Sequence, residues 1–247
     1  MSIRAVVFDI GNVLIEWAPE RYFDRMLGED RRRALFAEVD LHAMNDRIDR
    51  GEDFREVVYA TAELYPDWAE HIRHWHDNWL ELATPEIPGS VALLRRLRAR
   101  GVPVFALTNF GIGTFDLAEP AYPFLTEFDR RYVSGHMKVI KPGHEIFEQV
   151  ERDCGLPPES LLFTDDRDDN IATAAARGWQ VHPFRGPEGW EDCLIGHGLL
   201  PRWAGAAKAA PPVAQAGCGT GVRFSRIGRW TMALSAPTPT PIHQTSV

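Results

Sequence analysis

Short apolar runs recur along the chain, and polar residues follow each of them directly. The runs are too short for helices, and uninterrupted apolar runs of this length are typical of strands buried on both faces of a parallel sheet. The pattern predicts three strands, namely Ala5–Phe8 before Asp9, Val102–Leu107 before Thr108-Asn109, and Leu161–Phe163 before Thr164-Asp165-Asp166. Two shorter candidate strands are Tyr132–Val133 and Gln180–His182.

Helical segments alternate with these strands. Ser90 to Arg100 has leucines at helical spacing and stops at Gly101, a residue that commonly ends helices. Lys141-Pro142 predicts the start of a second helix, because proline suits a first helical turn. A third, Ala-rich helix is predicted from Ile171 to Arg177. The alternation predicts an α/β fold with a Rossmann-like, doubly wound parallel sheet, whose functional site lies at the carboxyl ends of the strands.

The pattern changes between the first two strands. Residues 20–83 are helical in character and contain no convincing strand. An insertion of this length should stand over the strand ends as a cap and help to exclude water from a site. The predicted organisation is a hydrolase core of residues 1–16 and 85–203, a helical cap of residues 17–84, and a tail of residues 204–247. The tail is expected to be disordered, because its Ala, Gly, Pro, Ser and Thr cannot bury enough apolar surface.

Composition narrows the classes of function. The chain has 247 residues, is 45% hydrophobic and carries a net charge of −8, which disfavours a nucleic-acid-binding face. No apolar run approaches the roughly 20 residues of a membrane-spanning helix, and no secretory signal is visible. We expect a cytoplasmic protein of undetermined oligomeric state with reduced thiols, because its three cysteines are few and widely spaced. These are Cys154, Cys193 and Cys218.

The polar residues at the strand ends form a coherent chemical set. Asp9 is the most informative, because an ionised carboxylate beside so much apolar surface needs a cation or hydrogen bonds to hold it there. A carboxylate can attack phosphorus, and a divalent cation, typically Mg²⁺, can bridge it to a phosphate oxygen. Donors for the remaining phosphate oxygens are supplied by Thr108, Asn109 and Lys141.

Four segments in order carry a resemblance to a known family. They are Phe8-Asp-Ile-Gly-Asn-Val-Leu14, Leu107-Thr-Asn109, Lys141-Pro142 followed by Glu145-Ile-Phe147, and Asp165-Asp-Arg-Asp-Asp-Asn-Ile171. Across about residues 3–185 the chain resembles the haloacid dehalogenase-like hydrolase superfamily, specifically its phosphatase branch with a small helical cap.

The resemblance implies roles for individual residues. Asp9 would be the nucleophile and a metal ligand, and Lys141 would neutralise both Asp9 and the transferring group. Thr108 and Asn109 would bind the phosphate. The implied Mg²⁺ would be held by Asp9, the backbone carbonyl of Gly11 and Asp166. Asp165 and Asn170 would support the site. The register of the match leaves open by one position whether Asp166 or its neighbour Asp165 is the metal ligand.

One departure from the family matters. Its phosphatases usually carry a second Asp two residues after the nucleophile, as general acid and base, and here that position is Gly11. Loss of such a group typically costs about 10²–10⁴ in rate unless a substitute exists. The chain could be a slow phosphatase, could favour esters with good leaving groups, or could borrow a group from the cap. Glu16 is an acidic residue close to Gly11 in sequence that could supply the missing group.

The leading hypothesis is a Mg²⁺-dependent phosphoric monoester hydrolase that acts on a small phosphorylated metabolite, with sugar phosphates as the preferred class, through an aspartyl-phosphate. One alternative is a metal-independent 2-haloacid dehalogenase, in which Asp9 attacks carbon. The pair Asp165-Asp166 counts against it, because two adjacent acids call for a cation. The other alternative is a binding or regulatory protein with weak catalysis, which Gly11 favours and the intact Asp9, Lys141 and Asp166 disfavour.

Overall fold

The computed structural model describes residues 2–202, which contain two β-sheets. The strands are β1 (Ala5–Phe8), β2 (Ile15–Trp17), β3 (Ala83–Glu86), β4 (Val104–Thr108), β5 (Arg130–Val133), β6 (Leu161–Asp165) and β7 (Gln180–Pro183). Five of them form a parallel sheet in the order β5-β4-β1-β6-β7, and β2 pairs with β3 as an antiparallel ribbon. This arrangement confirms the predicted Rossmann-like α/β sheet.

Six helices lie between β2 and β3, and we call residues 19–82 the helical insertion. They are α1 (Pro19–Leu27), α2 (Glu29–Glu38), α3 (Leu41–Asp49), α4 (Phe54–Leu64), α5 (Ala69–Asp77) and α6 (Trp79–Leu82). The helices that alternate with the sheet strands are α7 (Pro88–Ala99), α8 (Ile112–Ala121), α9 (Ser134–Met137), α10 (His144–Cys154), α11 (Asp168–Ala176) and α12 (Pro187–Gly196). No helix among the described residues is long and apolar enough to cross a membrane.

Strand β1 runs through the centre of the molecule. Its side chains alternate between two apolar clusters, with Val6 and Phe8 in one and Ala5 and Val7 in the other, and all four are fully buried. Leu94 of α7 and Trp190 of α12 belong to the first cluster, whereas α10 and α11 cover the second. Because helices cover both faces of the sheet, the strand has no polar face, which explains the uninterrupted apolar run in the sequence.

The predicted helix start at Lys141-Pro142 is wrong by several residues. Helix α10 begins at His144, with Gly143 as its N-terminal cap residue. The backbone N–H of Gly143 donates to the carbonyl of Ile140 at 3.0 Å, so Pro142 lies inside a closed turn instead of the first helical turn. Lys141 therefore lies in the loop before the helix.

The ribbon of β2 and β3 was not expected from the sequence. Ile15 pairs with Glu86 and Trp17 with Ala83, so the two ends of the helical insertion leave the core side by side. Strand β3 is short and half exposed, which hides it from a search for apolar runs. The division into a core of residues 1–16 and 85–203 and a cap of residues 17–84 stays a prediction. The tail of residues 204–247 lies outside the described residues.

Candidate active site

The carboxyl ends of three neighbouring strands meet at one edge of the sheet. Strand β1 pairs with β4 on one side and with β6 on the other. Asp9 directly follows β1, Thr108 ends β4 and Asp165 ends β6. A cavity of about 330 Å³ opens above this edge, between the strand ends and the helical insertion. The topology therefore brings together the polar clusters that follow the three apolar runs.

Lys141 joins two of these strand ends. Its side chain is buried, and its Nζ lies 2.8 Å from Asp9 Oδ1 and 2.6 Å from Asp165 Oδ2. It also donates to the carbonyl oxygen of Leu107 at 2.9 Å, so three acceptors surround the ammonium group. Burial acts to lower the pKa of Lys141, but the carboxylates of Asp165 and Asp9 outweigh it and hold the pKa above its usual range. The lysine is therefore a fixed positive charge beneath the cavity.

Asn109 holds the backbone of Lys141 in place. Its Nδ2 donates to the Lys141 carbonyl at 2.9 Å, and its Oδ1 accepts from the Lys141 backbone N–H at 2.8 Å. Both polar atoms of the amide are thereby engaged with one residue. Thr108 is 1% exposed, and both residues line the cavity. The amide side chain of Asn109 thus positions Lys141, a contact that its place in the sequence did not indicate.

Asp9 has one engaged oxygen and one available oxygen. Its Oδ1 accepts from the backbone N–H of Ile10 at 2.7 Å and contacts Lys141, whereas no described residue donates to its Oδ2. Burial raises the pKa of Asp9 to about 8; Lys141 opposes this rise, and the negative charge of Asp165 adds to it. A further cation at the free oxygen would favour the ionised form, which is the reactive one for attack on an electrophile.

Asp165 and Asp166 occupy different environments. Asp165 is fully buried beneath the cavity, where its carboxylate accepts from Asn170 Nδ2 at 2.9 and 3.0 Å and from the backbone N–H of Arg167 at 2.9 Å, in addition to Lys141. Asp166 is half-buried and lines the cavity, and its Oδ2 accepts from Asn12 Nδ2 at 3.0 Å. Burial raises the pKa of Asp166. Asp166 therefore has one carboxylate oxygen that accepts no side-chain hydrogen bond from the described residues, whereas both oxygens of Asp165 are engaged.

The donor set fits a hard divalent cation. Asp9, Asp165 and Asp166 each offer a carboxylate oxygen, and these oxygens lie within 4.8 Å of one another. Three carboxylates face a single lysine, which leaves an excess of negative charge when all are ionised. Asn170 Oδ1 adds a buried oxygen that has no hydrogen-bond partner among the described residues. Magnesium prefers oxygen ligands of this kind, so the residues present suit Mg²⁺.

Gly11 lines the cavity but offers no side chain. A Cβ added there would meet only the Cβ of Trp17, at 3.9 Å, which is ordinary van der Waals contact. Space therefore does not account for the absence of the family's second Asp. Glu16 does not replace it, because its carboxylate pairs with Arg21 and it is not among the residues that line the cavity.

Sequence reasoning missed Asn12. Its backbone adopts a left-handed conformation with φ of 53°, its Oδ1 accepts from the backbone N–H of Trp17 at 2.9 Å, and its Nδ2 reaches Asp166. The side chain of Asn12 thus links the turn after β1 to Asp166, which follows β6. The signal was present in the Gly-Asn dipeptide, because asparagine tolerates this conformation in tight turns better than most residues.

Sequence reasoning also missed the polar face of α3. The apolar residues Leu41, Met44 and Ile48 are buried, and the residues of the opposite face line the cavity. We call this face the roof; it consists of His42, Asn45, Asp46 and Asp49. The i, i+3, i+4, i+7 spacing could have been found in the sequence, but a polar helix face ordinarily indicates solvent.

A comparison with protein families identifies one match. A family model described as haloacid dehalogenase-like hydrolase matches residues 3–178. The N-acetylmuramic acid 6-phosphate phosphatase of Pseudomonas putida is 26% identical over 220 residues, which cover 81% of this chain and 94% of that protein. Drimenol cyclase drtB of Aspergillus calidoustus is 25% identical over 183 residues, which cover 71% of this chain but 33% of that protein. The chain therefore spans about a third of the cyclase's length.

Solved structures agree on the architecture. A HAD family enzyme from Bacteroides thetaiotaomicron, determined in complex with magnesium and inorganic phosphate, has a TM-score of 0.61 and is 21% identical. The match covers 78% of this chain and 99% of that enzyme. At this level of identity the likeness establishes the fold.

Proposed function

The chain belongs to the haloacid dehalogenase-like hydrolase family, and from this we propose that it is a Mg²⁺-dependent phosphoric monoester hydrolase that acts on a small phosphorylated metabolite. The observation that carries the proposal is the group of three carboxylates with oxygens within 4.8 Å of one another, above a buried lysine. This arrangement supports binding of a cation and a phosphate together. A site for uncharged ligands would gain nothing from so much uncompensated charge.

Asp9 is the proposed nucleophile. Its free Oδ2 attacks phosphorus, the bond from phosphorus to the ester oxygen breaks, and an aspartyl-phosphate forms; water then attacks this phosphorus and releases inorganic phosphate. Lys141 opposes the effect of burial on Asp9, so that it favours the ionised form, and it offsets charge on the transferring group. Thr108 and Asn109 bind the phosphate at the end of β4, and the amide of Asn109 also fixes the lysine loop.

The residues proposed to hold Mg²⁺ are Asp9, the carbonyl of Gly11, and Asp166. The engaged carboxylate of Asp165 and the hydrogen-bonded environment of Asp166 support Asp166 as the direct ligand. Asp165 and Asn170 then act as supporting groups, with Asp165 orienting Lys141. When bound, the cation would neutralise phosphate oxygens and make phosphorus easier to attack.

Sugar phosphates are the substrate class we propose. The cavity combines the aromatic rings of Trp17 and Trp79 with the hydrogen-bonding side chains of the roof, a lining suited to a polyhydroxylated ring. The phosphatase relative from Pseudomonas putida is named for a phosphorylated amino sugar. Both observations support a carbohydrate substrate over a purely apolar one.

Two alternatives make different predictions. A 2-haloacid dehalogenase would use Asp9 against carbon without a metal, and Gly11 is compatible with that chemistry. The available oxygen of Asp166 beside Asp9 counts against it, because it adds negative charge near a site that would have to bind a carboxylic acid. A binding or regulatory protein would keep the fold and lack turnover.

One set of assays separates the three. We expect release of p-nitrophenol from p-nitrophenyl phosphate with Mg²⁺, abolished by EDTA and restored by added Mg²⁺. Metal-independent chloride release from 2-chloropropionate would instead support the dehalogenase, and absence of both activities would support the binding protein. A substrate screen that compares sugar, nucleotide and acid phosphates then tests the substrate class, which is contradicted if sugar phosphates rank last.

A further inference from the structure

We propose that Asp49, at the end of α3, is the general acid and base of this hydrolase and takes over the task that the family gives to the residue at position 11. The inference rests on the phosphatase function proposed above. Gly11 has no side chain that could transfer a proton, so the proton for the leaving group must come from another residue. Among the described residues that line the cavity, Asp49 is the buried carboxyl group that the proposed phosphoryl chemistry does not use.

Asp49 and the proposed nucleophile reach the cavity from different elements. Asp49 belongs to the helical insertion, whereas Asp9 follows the central strand of the sheet, and both side chains line the same 330 Å³ cavity. Displacement at phosphorus puts the leaving oxygen roughly in line with the attacking one, on the far side of phosphorus. We therefore expect the proton donor for the leaving oxygen on an element other than β1, and Asp49 on α3 meets this requirement.

The core fixes the position of Asp49. Ser134 Oγ donates to the backbone carbonyl of Asp49 at 2.6 Å, and the backbone N–H of Gly111 faces the Asp49 carboxyl group and acts to lower its pKa. Gly111 follows the proposed phosphate-binding residue Asn109 by two positions. The approach is so close that a Cβ on Gly111 would lie 2.5 Å from Ile48 Cγ2, so glycine is required there. Asp49 is thus locked against the loop that would hold the phosphate.

A hydrogen-bond chain sets the orientation of the carboxyl group. Trp75 Nε1 donates to Asn45 Oδ1 at 3.2 Å, and Asn45 Nδ2 donates to Asp49 Oδ2 at 2.8 Å. Because the indole can only donate, the amide of Asn45 must present its NH₂ group to Asp49. The side chain of Asp49 is therefore held in one rotamer from within the helical insertion.

The environment of Asp49 suits proton exchange near neutral pH. Burial, reinforced by the negative charge of Asp46, raises the pKa of Asp49 to about 7. The Gly111 N–H, Lys141 on the core and Arg50 on the same helix oppose this rise. A general acid and base works best when its pKa lies near the working pH, because both forms are then populated.

The proton balance closes over two steps. In the first, Asp9 Oδ2 bonds to phosphorus, the bond from phosphorus to the ester oxygen breaks, and protonated Asp49 gives its proton to that oxygen, so an alcohol leaves. In the second, ionised Asp49 takes a proton from water as the water oxygen bonds to phosphorus, and the bond to Asp9 breaks with its electron pair returning to the carboxylate. Asp49 is then protonated again and inorganic phosphate is free.

The test is Asp49→Asn, which keeps the size of the side chain and an acceptor for the Gly111 N–H. With a poor leaving group, glucose 6-phosphate or phenyl phosphate, we expect the rate to fall by about 10²–10⁴. With 2,4-dinitrophenyl phosphate, whose leaving group needs no proton, we expect a rapid burst of one dinitrophenolate per enzyme followed by slow turnover.

The pH profile gives a second test. In the wild type, the rate at which the poor substrates phosphorylate Asp9 should fall as the pH rises through about 7. The variant should not show this decrease in rate.

Two further variants separate chemistry from structure. Asp46→Asn removes a neighbouring charge from the same helix face, and we expect it to move the high-pH fall to lower pH, since the charge of Asp46 raises the pKa of Asp49. Gly11→Asp combined with Asp49→Asn should recover part of the lost rate, because position 11 has room for a side chain.

The outcomes are distinguishable from failure of the phosphatase proposal. A wild-type enzyme without Mg²⁺-dependent release of p-nitrophenol would overturn both ideas. An active wild type, together with an Asp49→Asn variant that is unchanged or equally slow in burst and turnover for every leaving group, would overturn the role of Asp49 alone. Circular dichroism spectra of each variant ensure that a misfolded protein is not mistaken for a catalytic defect.

Discussion

The two sides of the cavity are both acidic, but only one contains a buried cation. We call Asp9, Lys141, Asp165 and Asp166 the floor; its lysine lies 2.8 Å from one carboxylate and 2.6 Å from another. The roof on α3 offers two further acids to the cavity, and the described lining residues of the helical insertion include no lysine or arginine. The same side chain, aspartate, is therefore held in different electrostatic environments a short distance apart.

The difference teaches how one residue type can serve opposite tasks. On the floor, burial raises the pKa of Asp9 to about 8, but Lys141 opposes this rise, and the proposed Mg²⁺ would further favour the ionised form that can attack or ligate. On the roof, Asp49 has no ion-pair partner among the described residues, and burial raises its pKa to about 7 against the weaker opposing effects of Lys141 and Arg50, so a proton remains available. Pairs of acids whose environments separate their roles are a common basis for acid–base chemistry. Four predictions test the contrast.

The largest expected effect is on the floor nucleophile. Asp9→Asn removes the carboxylate that we propose as the nucleophile, and we expect p-nitrophenyl phosphate hydrolysis to fall by at least about 10⁴-fold. Initial rates at saturating Mg²⁺ measure the effect, and Asp116→Asn, an exposed acid on α8, is the matched control and should be unchanged. Full activity in Asp9→Asn would exclude an aspartyl-phosphate at this residue.

The next largest effect concerns Lys141, the buried cation of the floor, and the stability of the fold. Lys141→Met leaves Asp9 and Asp165 buried without their shared partner, so we expect the free energy of unfolding to fall by about 3–5 kcal/mol in the absence of metal. Urea denaturation measures the loss. Lys138→Met removes an exposed lysine that donates to the Gly51 carbonyl at 2.8 Å, and should cost no more than about 1.5 kcal/mol. Equal losses in the two variants would mean that the floor does not depend on its lysine.

Substitution of Asp49 on the roof should raise the free energy of unfolding, whereas substitution of Lys141 on the floor lowers it. Because the pKa of Asp49 rises from 3.8 to about 7 on folding, the folded protein disfavours its ionised form, and the wild type should lose stability as the pH rises from about 4 to 7. Asp49→Asn removes this penalty. We expect the variant to be more stable than the wild type by up to about 4 kcal/mol at pH 8 and equal to it below about pH 4.

Urea denaturation of both proteins across this pH range measures the difference. A variant that is less stable than the wild type at every pH would show that Asp49 contributes to the fold as an ionised group. That result would remove the contrast between floor and roof, even if the catalytic assays remained in favour of Asp49.

The smallest effect concerns the turn beside the floor. Asn12→Gly accepts the left-handed backbone conformation and removes the hydrogen bond to Asp166 Oδ2. Loss of a group that orients a metal ligand typically weakens affinity by about 10–100-fold. We expect the Mg²⁺ concentration for half-maximal activity to rise by this amount, with the maximal rate nearly recovered at high Mg²⁺. An unchanged requirement for Mg²⁺ would count against Asp166 as a ligand.

The floor was predictable because each of its parts has a local signal. Asp9, Thr108 and Asp165 directly follow apolar runs, and a parallel sheet brings the ends of its strands to one edge. The start of α10 was not predictable from Pro142, since the hydrogen bond that closes the turn at Gly143 competes with helix formation there. The ribbon was missed because β2 and β3 are short and stabilise each other only once the helical insertion returns to the core.

The sequence by itself determined the parallel sheet and the carboxylates that follow its strands, because strand burial leaves a pattern along the chain. Only the tertiary structure decided which acids share a cavity and which of them tend to hold a proton. Asp49 reads as an ordinary polar residue of an amphipathic helix until Gly111 and Ser134 hold it against the core. The physical reason is that a pKa depends on burial and on neighbours distant in sequence, and folding alone supplies both.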